Sequence, residues 1–149
     1  MYVLLFNLAG PAILGWALLI FLPSWSVTRW IARSAAFPAY LAALYVVGVV
    51  PLVIAAGPGI MRDFSSADGV IRLLAGPNAA LVAWIHILAF DQLAGVIVYR
   101  DNLRHRVVAV PLQSAILFLT LMFGPAGFLT YYLIRVAKRR GPALGEAGT

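Results

Sequence analysis

Four apolar runs decide what this chain can become: residues 2–22, 39–56, 79–99 and 107–136. Each reaches the length of roughly 17–25 residues that a helix needs to cross the hydrocarbon core of a bilayer. Inside that core the backbone has no water to bond, so each run must satisfy its own N–H and C=O groups as a helix. With 63% hydrophobic and 11% charged residues, the 149-residue chain has too little polar surface to coat a soluble globule. The expected fold is therefore all-α: a polytopic membrane bundle of four transmembrane helices, forming one transmembrane domain over residues 1–140.

The net charge of +6 would suggest nucleic acid in a soluble protein. Here the basic residues fall almost entirely between and after the apolar runs, where Lys and Arg meet lipid head groups, and nucleic acid is excluded as a partner. No cysteine occurs, which removes disulfides, thiolate metal sites and thiol nucleophiles. No metal or cofactor is implied.

The connections carry their own signals. Ser24, Trp25, Arg29, Trp30 and Arg33 form a polar and aromatic stretch suited to the head-group layer. Gly57-Pro58-Gly59 ends the second run by turn chemistry. Beyond it, Arg62, Asp63, Asp68 and Arg72 alternate with Phe64, Val70, Leu73 and Leu74, which predicts a short interfacial amphipathic helix between spans 2 and 3, ending at Gly76-Pro77. A hydrophilic loop follows the third span, and its His105 is expected to be solvated. The fourth run is longer than a bilayer requires, and Gly124-Pro125-Ala126-Gly127 supplies a place for a kink. Residues 141–149 read as a disordered tail. The first run lacks a basic flank and exceeds the length of a signal-peptide core, so it reads as a retained span. No Ser/Arg-rich transit segment is evident, which suggests a prokaryotic protein or a mature chain, and the expected location is a bacterial inner membrane or a photosynthetic membrane.

Asp91 is the only acidic residue inside any of these runs, and it lies near the middle of its own. A charge at that depth costs at least ~2.5–3.5 kcal/mol, so membrane proteins that keep one pair it or use it. His86 sits on the other side of the same midpoint. At about 100° per residue the two side chains are about 140° apart around the helix, so they cannot form a dyad on one face. Each must find partners on other helices, or the two must flank a cavity. Counting levels from the span centres places Tyr45, Trp16 and Thr120 at the depth of Asp91, and Asn7 and Gly124 nearer His86. The structural alternative is that Asp91 bonds Tyr45 or a backbone group and holds the bundle together.

The pattern Trp84-x-His86-x-x-Ala89-Phe90-Asp91-x-x-x-Gly95 is followed by Leu121-Met122-Phe123-Gly124-Pro125-x-Gly127. Together with Phe6-Asn7, Pro11, Trp16, Leu22-Pro23 and Tyr45 upstream, it resembles the abscisic-acid-deficient-four-like family of small membrane proteins, whose plant members are the neoxanthin synthases of chloroplasts. The likeness covers almost the whole chain. Departures fall at Ile87, Gln92 and Val96, where the family more often carries an aromatic, an apolar and a basic residue. The resemblance implies isomerisation of the epoxide end group of a carotenoid, or of another isoprenoid lipid, to an allenic alcohol without net redox change. Such chemistry needs an acid for the epoxide oxygen and a base for a carbon-bound proton. Asp91 and His86 are the candidate catalytic residues, and Trp84, Phe90, Gly95, Asn7, Tyr45, Gly124 and Pro125 the candidate substrate-binding ones. The expected partners are membrane lipids and a carotenoid-like apolar ligand, and a homo-oligomer or larger membrane complex is compatible with them. The other reading is a non-catalytic membrane protein that binds pigment or lipid or serves as an accessory subunit.

Overall fold

The structure is a computed structural model that describes residues 1–139, with the backbone alone for Arg139. The tail expected at 141–149 lies outside the described residues. Helices α1 (Tyr2–Ala9), α2 (Ala12–Phe21), α3 (Ser26–Ser34), α4 (Ala36–Ala56), α5 (Ile60–Phe64), α6 (Ala67–Ala75), α7 (Pro77–His105) and α8 (Val110–Arg139) take up almost all of it. Four stretches are long and apolar enough to cross a membrane: Tyr2–Phe21, Ala36–Phe64, Pro77–His105 and Val110–Lys138. The protein is an all-α membrane bundle. Its chain forms two compact units, one of Met1–Pro11 with Ala39–Ala89, the other of Ala12–Pro38 with the chain from Phe90 onward.

In the first unit, α1, α4 and the first half of α7 meet at Gly48. A Cβ there would stand 2.8 Å from Val82 Cγ2 and 3.3 Å from Leu5 Cδ1, so the missing side chain is what lets the three helices close. The Tyr40 hydroxyl donates to the Leu8 carbonyl at 2.7 Å and ties α4 to α1. The interfacial helix expected between spans 2 and 3 is present as two short helices, α5 and α6. The break is local chemistry: Ser66 caps α6 by accepting from the Gly69 N–H at 3.1 Å, and Gly69 packs so tightly on Asp63 that a Cβ would lie 2.5 Å from its Cα. Pro77 opens α7 two residues before the expected start, since its missing N–H is one the first helical turn leaves unbonded anyway.

The second unit holds α2, α3, the rest of α7 and α8 around a core that includes Trp16, Leu19, Val98, Tyr99, Leu117 and Tyr131. Its defining feature is the path of α8. The kink expected at residues 124–127 is a full reversal with its break at Phe123, whose φ of −140° and ψ of 47° are not helical. Pro125 has no N–H to give Leu121, and this removes the hydrogen bond that would resist the turn. Gly127 then lands against Thr120, where a Cβ would lie 2.4 Å from the Thr120 backbone nitrogen. At the open end Lys138 Nζ donates to the Val107 carbonyl at 2.9 Å. A straight helix would hold residues 107 and 138 about 46 Å apart. The two legs, 110–122 and 124–139, are about 20 Å and 24 Å long, and so the ends of the hairpin lie side by side.

This path fixes an expected labelling pattern. Cysteines introduced at Ala109 and Ala137, both exposed, should react with a membrane-impermeant thiol reagent from the same side of the membrane, with no background because the chain has no cysteine of its own. Reaction from opposite sides would show that α8 crosses and would refute the hairpin.

Candidate functional site

The first unit contains a half-open apolar groove of about 430 Å³, within the range of small-molecule sites. Val49 and Leu52 from α4 and Val82 from α7 form one wall, and Phe64, Val70 and Leu73 from α5 and α6 close it. Among the residues lining it, Tyr45 and His86 alone carry polar side-chain atoms. Their rings touch, with centroids 4.9 Å apart and planes tilted by 55°. Their meeting follows from the antiparallel packing of α4 and α7 through Gly48 and Val82, which places residue 45 opposite 86. The groove can therefore take an apolar body and offer it one imidazole and one phenol.

The second unit contains Asp91, fifteenth of the 29 residues of α7 and half-buried. Its carboxylate lies directly on Gly124: a Cβ there would stand 2.6 Å from the carboxyl carbon and 3.0 Å from Oδ2. No described residue donates a hydrogen bond to it. The tip of the α8 hairpin thus comes to the level of Asp91, and glycine at 124 is the space its carboxylate occupies. Gly95, one turn on, gives the same room to Trp16, whose indole would meet a Cβ at 2.6 Å. Gln92 and Thr28 are each 1% exposed and line a cavity of about 10 Å³ with Gly15, Phe37, Pro38 and Val96; neither side chain has a hydrogen-bond partner among the described residues. Orphaned buried amides cost about 1–3 kcal/mol.

The sequence-level depths are corrected by about a turn: Tyr45 meets His86, and Gly124 meets Asp91, because the hairpin sets its tip rather than a passing helix beside the carboxylate. Trp84 and Phe90 turn outward at 50% and 59% exposure, and Asn7 and Pro125 are also exposed. Sequence reasoning missed a buried polar cluster at the end of α7. Asp101 Oδ2 accepts from the Tyr131 hydroxyl at 2.7 Å and from Arg135 Nε at 2.8 Å. His105, expected in solvent, is half-buried with Nδ1 3.0 Å from Asp101 Oδ1. The available signal was the i, i+4 spacing of Asp101 with His105 and of Tyr131 with Arg135, each pair on one helix face.

These observations define a small polytopic membrane protein with a polar pair set in an apolar groove and a carboxylate at the centre of its longest uninterrupted helix. The chain belongs to the ABA DEFICIENT 4-like family, whose family model matches residues 4–131. No curated protein and no solved structure matches the chain.

The contact between Asp91 and Gly124 can be measured by a double-mutant cycle. Gly124→Ala should lower stability by about 1–3 kcal/mol as the methyl displaces the carboxylate, and most of that loss should vanish in an Asp91→Ala background. Equal losses in both backgrounds would mean that the alanine disturbs the hairpin turn itself.

Proposed function

We propose that the protein binds a carotenoid or another long isoprenoid lipid in the groove of Tyr45 and His86 and isomerises its epoxidised end group. The observation that carries this reading is the groove itself, apolar except for two side chains that can move a proton. The end group would enter between α4, α6 and α7 while the rest of the chain runs out along the bilayer. One group protonates the epoxide oxygen as its C–O bond breaks, and another takes a proton from carbon, whose electron pair completes the allene. One proton enters and one leaves, so no oxidant is needed. His86, held by its contact with Tyr45, is suited to one of these transfers. Asp91 is proposed for the reaction on separate grounds: a carboxylate at mid-helix, without a donor, whose space a glycine keeps open. Membership of the family supports the substrate class.

The test is conversion in a host that makes an epoxycarotenoid. The protein should yield an isomer of unchanged mass, and His86→Ala should lower the yield by about 10²-fold or more while the pigment still co-purifies. Asp91→Asn keeps size and polarity but removes the titratable proton, so it should fold and lose conversion. Full conversion by Asp91→Asn removes Asp91 from the mechanism. Pigment that co-purifies with the unmodified protein and is never converted supports the binding-protein reading instead. Ala83→Phe, which fills the groove, should abolish co-purification in either case.

A further inference from the structure

A second groove, in the unit of α2, α3 and α8, is built for the opposite chemistry. It measures about 500 Å³ and is bounded by Pro23 and Ser24 between α2 and α3, Arg29 of α3, the end of α7 and the start of α8 at Val110. Three cations line it, Arg29, Arg106 and Lys138, and no acidic side chain does. Each keeps donors to spare. Arg29 gives one N–H to the Ser24 carbonyl at 2.9 Å, and its guanidinium carries four more. Lys138 gives one of three to the Val107 carbonyl. The Arg106 side chain makes no hydrogen bond or ion pair with a described residue, although its backbone is held in the left-handed region at φ 50°. That conformation is costly for a residue with a Cβ, and the position after a helix end normally goes to glycine. An arginine kept there is therefore better explained by its side chain than by its backbone.

Two buried amides, Asn102 and Gln113, line the same groove. The Asn102 amide is fixed by Val108, giving Nδ2 to the Val108 carbonyl at 3.0 Å and taking the Val108 N–H on Oδ1 at 2.8 Å. Its Nδ2 also donates to Gln113 Oε1 at 2.6 Å. This bond turns the Gln113 Oε1 towards Asn102, and Gln113, only 3% exposed, also lines the groove. The first turn of α8 adds unbonded backbone N–H groups and the positive end of its dipole. The charged side chains of the lining are all donors, and none is a carboxylate.

We propose that this groove binds the phosphate of an anionic membrane lipid. A phosphate offers several acceptor oxygens to the guanidinium, ammonium and amide donors, and Arg in particular binds it through two parallel bonds. The lipid origin follows from the setting. The groove lies where three apolar stretches end, at head-group depth, and Leu103, Val107, Val108 and Val110 in its lining suit the glycerol and upper acyl chain. This assignment is independent of the isoprenoid reading of the other groove.

The experiment uses the purified full chain in a neutral detergent, stripped of native lipid. Its thermal midpoint is titrated with short-chain phosphatidic acid, with the matching phosphatidylcholine and with inorganic phosphate. Phosphatidic acid should raise the midpoint saturably, with an affinity that falls as salt rises. Arg106→Gln and Lys138→Gln should each weaken it on the order of tenfold, about 1.4 kcal/mol. Arg62→Gln, the same loss of charge on α5, should leave it unchanged. Binding of inorganic phosphate with equal affinity would overturn the lipid assignment in favour of a free anion. An equal response to phosphatidylcholine, or titrations that Arg106→Gln and Lys138→Gln leave unmoved, would overturn the site altogether.

Discussion

The reversal of α8 at Phe123 is the constraint from which the second unit takes its form. Three residues make it cheap. Pro125 cannot complete the helical bond to Leu121, Gly124 leaves its surface bare for Asp91, and Gly127 lets the returning leg touch the Thr120 backbone. Once the chain turns, the returning leg must dock somewhere, and its polar residues decide where. Tyr131 and Arg135 reach the buried Asp101 on α7, while Lys138 reaches the Val107 carbonyl at the mouth of the hairpin.

The Asp101 cluster shows why one acid near the membrane surface can hold a helix pair. Its carboxylate is 2% exposed and Arg135 is 6% exposed, so little water remains to screen the pair. Removing one partner of such a pair leaves an uncompensated buried charge, at a cost of about 3–5 kcal/mol. By contrast, the exposed pair of Arg72 with Asp63 on the short helices contributes at most about 1 kcal/mol. The first unit relies instead on close packing at Gly48 and on Ser66 and Gly69, which fold α6 back on α5 and complete the groove wall.

The sequence made the class and the helices legible because apolar length is a local property. The second span and the long third helix are found within three residues at most of their expected starts, and the proline-glycine cluster marks a true break. What stayed hidden depends on angles. A kink and a reversal require the same residues, and only contacts distant in sequence, of Gly127 with Thr120 and of Lys138 with Val107, distinguish them. For the same reason Gly124 was placed a turn from its real neighbour, since the levels were counted for four spans that each cross the bilayer. Asp101 and Arg135 looked like surface charges, being polar residues at the ends of apolar runs, and nothing local says that they meet. Asp91 and His86 were visible through the cost of their positions, but their surroundings were not.

The two grooves divide the polar chemistry of the protein in a way that bears on how a lipid enzyme could work. The groove of His86 and Tyr45 is walled by apolar side chains and holds neither a cation nor a carboxylate among its lining residues. An imidazole and a phenol offer that groove hydrogen-bond donors and acceptors without a permanently charged side chain. The second groove collects cations and donors at the ends of the apolar stretches, where water and head groups keep their charges inexpensive. An apolar substrate with a small reactive end group and an anionic lipid present opposite demands on their surroundings, and one uniform pocket could not meet both. Asp91 fits neither environment. It keeps a carboxylate at the centre of α7 with no donor among the described residues, and Gly124 preserves the space around it. A group that contributed only packing at that position would be more stable as an apolar residue, and this is the physical ground on which Asp91 enters the proposed reaction.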